Sequence, residues 1–380
     1  MFVFRSTIDI PANAPLAGYA DRVSGRSSAA AQLELHGVGV TGPQPWELCS
    51  VDALYPGVLA SPQPGSAVQR VMAASHTHFA PMLDPAQPEL GQFDPALAAL
   101  FQNGLLTARR ETVEVDNCTL YSADVALPVY RRFDDPPTVL NRLLTRHGGF
   151  FPNEHQVIDR AVRIFVLGQG SRAMFALVHH ACHPVTRAAY GEVSADYVAA
   201  LREAVQHRFG VSVCLFLLGC AADIRPNIAG KRIDWMPRSR LNWRFRYPPS
   251  AADTEAVDEQ YRVAVQNARA ISTFQADGAP FRMQTRSVQI EGWGAVAVPR
   301  LTVMDRFEFY FLPFEVSHRY HLDALAADRS GRKLLVSCAG DVKGYLPHPS
   351  QLLFGGYEVD ASRRPTRLSR RVHMNLESLW

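Results

Sequence analysis

The chain has 380 residues, 47% hydrophobic and 20% charged, the composition of a soluble globular protein holding one elaborated domain or two modest ones. A net charge of +3 gives no case for nucleic-acid binding from composition, and the longest apolar stretch, residues 213–222, is too short to span a bilayer. The start, Met1-Phe2-Val3-Phe4-Arg5, lacks a secretory pattern, and six cysteines without CxxC spacing read as buried free thiols, so a cytoplasmic setting is expected.

In chain order, strand patterns at 33–40 and 47–54 are joined by a turn at Gly42-Pro43. The apolar run Val71-Met72-Ala73-Ala74 reads as a buried strand. Asp94-Pro95 opens a helix through about residue 108, with the aspartate as N-cap and the proline at the first helical position. Strands follow at 118–125 and 161–167, the latter forming a hairpin with 173–179. Ser194 caps a helix that Gly210 closes, and residues 211–218 form a buried strand. Val257, Tyr261, Ala264, Ala268 and Ile271 make one stripe of a helix over 253–271. Further strands are expected at 281–290, 295–298, 307–312 and 334–338. The mixture predicts a single α/β domain over residues 1–380, with extensive β-sheet layers flanked by helices.

Candidate chemistry collects just past these strands. In Ser75-His76-Thr77-His78, an extended backbone would turn both imidazoles to one face, at the carboxyl end of a buried strand. Imidazole is the commonest metal ligand. His183 lies past another strand end, held extended by Pro184, while His179 reads as core packing and His180 stays open. Glu315 ends the apolar run Phe311-Leu312-Pro313-Phe314, where a carboxylate needs a basic group, a helix terminus or a metal as partner. Asp223 and the loop Asp341 to Pro347, which contains Tyr345, also follow strands. Their common position after strands suggests one site.

These residues carry a resemblance. Gly18-Tyr19-Ala20, Ala74-Ser75-His76-Thr77-His78 with Pro81, His183-Pro184-Val185-Thr186 and Ser194-Ala195-Asp196-Tyr197 come first. Ala222-Asp223-Ile224-Arg225-Pro226-Asn227, Leu312-Pro313-Phe314-Glu315 and Gly344-Tyr345 with Tyr357 follow in order. Together they resemble the catalytic domain of the neutral/alkaline, non-lysosomal ceramidase family. The resemblance implies a ceramidase-like fold, Zn²⁺ bound by His76, His183, Glu315 and Tyr345, and hydrolysis of an N-acyl amide. It places His78 and Tyr357 beside the metal or toward substrate. The residue chemistry agrees: two imidazoles and a carboxylate suit zinc, a phenolate joins them once the cation lowers its pKa, and His78 can carry a proton to the leaving amine.

Three departures bear on substrate. Arg225 stands where the family has serine; its guanidinium can bind a substrate carboxylate or phosphate, stabilise an oxyanion, or pair with Asp223. Phe79-Ala80-Pro81 replaces Ser-Gly-Pro, which would narrow the entrance with a ring. The C-terminal β-sandwich of longer relatives is expected to be absent. A basic and aromatic insertion at about 228–250, densest over 231–247 with Lys231, Arg232, Arg238, Arg240, Arg244 and Arg246, reads as a solvated loop or as an anion-binding mouth. The leading function is a zinc amidohydrolase acting on a lipid or smaller N-acyl amide, with no nucleic-acid partner; the oligomeric state stays open. The alternatives are a metal-stabilised, inactive homologue that binds rather than cleaves, and a weaker case for an anionic-surface or nucleic-acid binder working through 231–247.

Overall fold

Side chains that alternate along strands feed two different cores, and this decides how the sheets stack. In the strand Gln69–Ala74, Met72 packs into one apolar cluster and Val71 into another; in Ala161–Gln169, Ile164 and Phe165 divide the same way. The structure is a computed structural model that describes all residues except 20–24, 62–64, 135–138, 141–149, 232–242, 246–247, 363–372, 375–378 and 380. Most of the 231–247 segment lies outside the described residues; at its ends, Ala229–Lys231 pairs antiparallel with Trp243–Phe245.

Among the described residues, three five-stranded sheets carry the fold. The first runs in the order Gln69–Ala74, Trp46–Val51, Ala31–Val40, Phe2–Ile10, Glu111–Thr112. The second runs Cys214–Leu218, Arg172–His180, Ala161–Gln169, Asn117–Asp124, Arg269–Gln275. The third runs Lys333–Val336, Phe307–Phe311, Gly294–Val303, Phe281–Glu291, His373–Met374. One cluster, including Val71, Phe165, Leu215, Phe309 and Val336, joins all three sheets. Another packs the first two against helices Pro95–Thr107, Tyr197–Phe209 and Ala251–Asn267 through Phe101, Leu201 and Tyr261. This is the mixed α/β architecture the sequence predicts, and all six cysteines are buried and free.

Each main sheet contains one parallel pair, and the carboxyl ends of these strands meet. Ser337 N donates to Leu218 O at 2.8 Å and Ala74 N to Cys338 O at 3.0 Å. Chains leaving the three sheets are therefore delivered to one place.

Local expectations differ from the structure in four elements. The helix Tyr197–Phe209 is capped by Asp196, whose carboxylate accepts from Tyr197 N, while Ser194 Oγ accepts from Asp196 N one step earlier. The helix Ala251–Asn267 begins at Ser250, in a reciprocal cap with Asp253, and stops before Ala268. Ile271 instead belongs to the strand Arg269–Gln275, where pairing with Asn117–Asp124 overrides the helical stripe. The strand Phe2–Ile10, which the sequence reading leaves unassigned, pairs along its whole length with Ala31–Val40.

Four buried histidines away from Glu315 make the fold acid-sensitive. Burial lowers His36 and His180 to about 4, and His179 and His318 to about 3. The unfolded chain protonates them near the ordinary value of 6.5, so between there and about 3 it binds more protons than the folded chain. Stability therefore falls as pH drops through that window, each group contributing up to about 1.4 kcal/mol per pH unit. Thermal unfolding from pH 7 to pH 5 should show a midpoint that falls at every step; a flat profile would contradict neutral burial of these rings.

Candidate metal centre

His76 leaves the strand Gln69–Ala74 with φ of +65°, a left-handed conformation that costs a non-glycine residue about 1 kcal/mol or more. The histidine pair thus does not share a face through strand alternation, as the sequence reading has it. The turn at His76 re-aims the chain, and the His76 and His78 rings meet edge to face at 5.2 Å. Ser75 N donates to Val51 O at 2.9 Å and fixes where the turn begins.

His183 arrives from Arg172–His180. Its backbone N donates to Ile224 O at 3.2 Å, and its Nδ1 faces Ala221 O at 2.6 Å and Ile224 O at 3.1 Å. His76 Nδ1 faces Leu54 O at 3.0 Å. Carbonyls only accept, so each Nδ1 must donate, which leaves each Nε2 as the ring nitrogen that faces the centre. The segment from 183 to 197 is tied back on itself: Asp196 accepts from Thr186 N at 2.7 Å and from Thr186 Oγ1 at 2.6 Å, and Tyr197 OH donates to Cys182 O at 2.6 Å. Thr77 Oγ1 donates to Ser194 O at 2.7 Å, joining the two histidine loops.

Glu315 enters from the third sheet. The short strand Glu315–Val316 pairs parallel with Tyr345–Leu346, Glu315 lying opposite Tyr345. The carboxylate is 3% exposed. Its Oε2 stands 3.3 Å from His76 Nε2 and 3.6 Å from His183 Nε2, and its Oε1 accepts from Tyr55 OH. Burial works against its charge, but His76 and His183 win and hold it well below the usual carboxylate range. Burial lowers His183 to about 4, so it is a neutral imidazole at neutral pH. Burial and the Glu315 charge push the Tyr345 phenol well above its ordinary value. A phenolate there needs a cation to form it.

The arrangement suits a metal. Ligand nitrogens of His76, His78 and His183 all lie within 4.8 Å of one another. His76 Nε2 and Glu315 Oε2 are buried and lack a hydrogen bond of ordinary geometry among the described residues, although they face each other. Burial works against a charge on His76, but Cys338 and Glu315 outweigh it and push this ring well above its ordinary value, so a metal would take the place of its Nε2 proton. With that proton gone, two imidazoles and an ionised carboxylate are a donor set for zinc.

Around this core, Gly18 has φ of +106°, and a Cβ there would sit 2.6 Å from the His78 ring. Tyr19 then covers that ring at 4.8 Å. The Gly-Tyr pair thus makes room for His78 and then roofs it. Phe79, expected to narrow the entrance, is instead buried and packs edge-on against Tyr19 at 5.8 Å. Tyr345 and Tyr357 meet at 5.5 Å, and Tyr357 is 41% exposed. Asp223 accepts from Ser317 Oγ at 2.6 Å, His318 N at 2.8 Å and Gln351 Nε2 at 2.7 Å, which makes it a structural brace. His179 bonds Leu335 O, and His180 bonds Ala161 O and Tyr261 OH, so both pack the core.

Three residues at the centre escape the sequence reading. Tyr55 sits just past the strand Trp46–Val51 and bonds Glu315. Cys338 follows Lys333–Val336 in a left-handed conformation, with its thiol beside His76. Arg131 is buried, and its charge acts on both Tyr345 and His183. The first two obey the same position-after-strand rule that picks out the histidines.

No protein-family model and no curated protein sequence matches the chain. Solved structures match its fold, two ceramidases among them. Neutral ceramidase from Pseudomonas aeruginosa aligns with a TM-score of 0.65 at 12% identity, over 94% of this chain and 70% of that one. A ceramidase complexed with C2 aligns at 0.64 and 11% identity, over 95% of this chain and 72% of that one. At such identities the finding is a shared fold.

Tyr55 bonds a carboxylate of the candidate ligand set, and losing such a partner weakens metal affinity about 10- to 100-fold. Tyr55→Phe should show a drop of that size in zinc competition with a chromogenic chelator. Unchanged affinity would remove Tyr55 from the centre.

Proposed function

We propose that the protein is a zinc-dependent amidohydrolase that cleaves an N-acyl amide, either ceramide-like or smaller and anionic. The observation that carries this reading is the convergence of His76 Nε2 and His183 Nε2 on the buried Glu315 carboxylate, each Nδ1 being held by a backbone carbonyl. The ceramidase-like fold supports it. His76, His183, Glu315 and Tyr345 would hold the metal. When bound, zinc supplies Lewis acidity toward a carbonyl and acidifies water.

The chain's own groups supply the rest. His78, half-buried beside His76 and His183, holds a proton at a ring nitrogen and passes it to the departing amine. Tyr357, exposed next to Tyr345, offers its hydroxyl to the substrate. Arg131 places a fixed positive charge near Tyr345 and Glu315, where a developing oxyanion is stabilised by preorganised charge. Tyr19 over His78 and the buried Phe79 keep water from that side of the ring. No helix among the described residues is long and apolar enough to cross a membrane.

Amine release from a panel of N-acyl amides tests this. Activity should vanish with a chelator, return with zinc, and fall to background in His76→Ala and His183→Ala. Turnover that survives in either variant would contradict the assignment. A zinc-loaded protein that hydrolyses no acyl amide would make it a binding homologue instead.

A further inference from the structure

Arg225 and Arg131 reach the same aromatic ring beside the metal centre. The strand Ile224–Pro226 pairs antiparallel with Pro128–Tyr130, and Arg225 lies opposite Val129. Arg131 N donates to Asp223 O at 2.9 Å, which extends that pairing by one residue. Side chains alternate along a ladder, so Val129, Arg131 and Arg225 share a face. The guanidinium carbons stand 4.4 Å (Arg131) and 5.9 Å (Arg225) from the centre of the Phe150 ring. Phe150 meets Tyr357 at 5.4 Å, and Tyr357 meets Tyr345 at 5.5 Å. Ile224, the neighbour of Arg225, supplies a carbonyl that holds His183.

Guanidiniums gather here. Arg131 Nε donates to Glu358 Oε1 at 2.8 Å, and Arg132 takes the other oxygen of the same carboxylate. Arg132 and Arg319 then share Asp134, at 3.0 and 3.3 Å. Among the described residues these two carboxylates thus serve three guanidiniums, Arg131, Arg132 and Arg319. Arg131 is 4% exposed, and its Nη2 is buried with no hydrogen bond among the described residues. A buried guanidinium donor left unmatched in the protein is suited to a ligand oxygen.

We propose that this mouth selects an N-acyl amide bearing a carboxylate close to the scissile bond, as an N-acyl amino acid does, and that Arg225 and Arg131 Nη2 receive that carboxylate. The reaction rests on the amidohydrolase reading: the C–N bond breaks, the oxygen of water joins the acyl carbon, and a proton goes to the leaving amine. The products are a fatty acid and an amino acid. Recognition of the carboxylate is measurable without turnover.

The probes are N-dodecylsulfonylglycine and its ethanolamine counterpart, sulfonamides that are not hydrolysed, titrated calorimetrically. The wild-type protein should bind the glycine derivative about tenfold more tightly or better, as expected for charge-assisted hydrogen bonds. Arg225→Gln should bring the two affinities close to parity, and Arg225→Lys should retain part of the preference, with unfolding midpoints near wild type. Equal affinities in the wild type would overturn the proposal. So would a preference that survives in Arg225→Gln, since the metal or another group would then hold the carboxylate. Carboxylate preference without hydrolysis of any acyl amide would leave this inference standing and remove the amidohydrolase; hydrolysis without preference would do the reverse.

Discussion

A carboxylate buried to 3% exposure is the constraint around which the centre is built. An unpaired charge in such a place costs several kcal/mol, so Glu315 dictates what surrounds it. Tyr55 donates to one oxygen, and two imidazole nitrogens stand within 3.6 Å of the other. That second oxygen and His76 Nε2 face each other at 3.3 Å without a hydrogen bond of ordinary geometry. A divalent cation that takes the place of the proton on His76 would let both imidazoles and this carboxylate act as ligands.

The fold makes that convergence possible by ending parallel strands from three sheets in one place. Main-chain bonds from Ser337 to Leu218 and from Ala74 to Cys338 tie those ends together. Tightness there shows in the backbone: His76, Asp196 and Cys338 all have positive φ without being glycine. Such conformations persist only where the surroundings over-determine them, and all three lie in the loops that form or brace the centre. Rigidity continues outward, since Asp196 holds Thr186 and Gly18 leaves space for His78.

Much of this was legible in the sequence, for physical reasons that can be named. Strands with one or both faces buried announce themselves by alternation or unbroken apolarity, as at Val71 to Ala74 and Cys214 to Leu218. The helix after Asp94 is marked by its cap and proline. His76, His183 and Glu315 could be picked out because polar groups just past apolar strands are conspicuous. What stayed hidden depends on contacts across the chain. Tyr55 and Glu315 are 260 residues apart, and Arg131 and Glu358 are 227 apart. Ile271 fits a helical stripe until a partner strand claims it, and Phe79 looks exposed until Tyr19 covers it. The His-X-His spacing suggested the right convergence by the wrong geometry, since the left-handed turn at His76 is invisible in composition.

The central claim is that His76, His183 and Glu315 are brought together to hold a metal. Elemental analysis of protein purified without added metal, wild type beside His183→Ala, tests it most directly. The account predicts about one zinc per wild-type chain, as a single four-ligand site requires, and its loss from a variant that remains folded. No metal in the wild type, with none taken up on adding zinc, would contradict it.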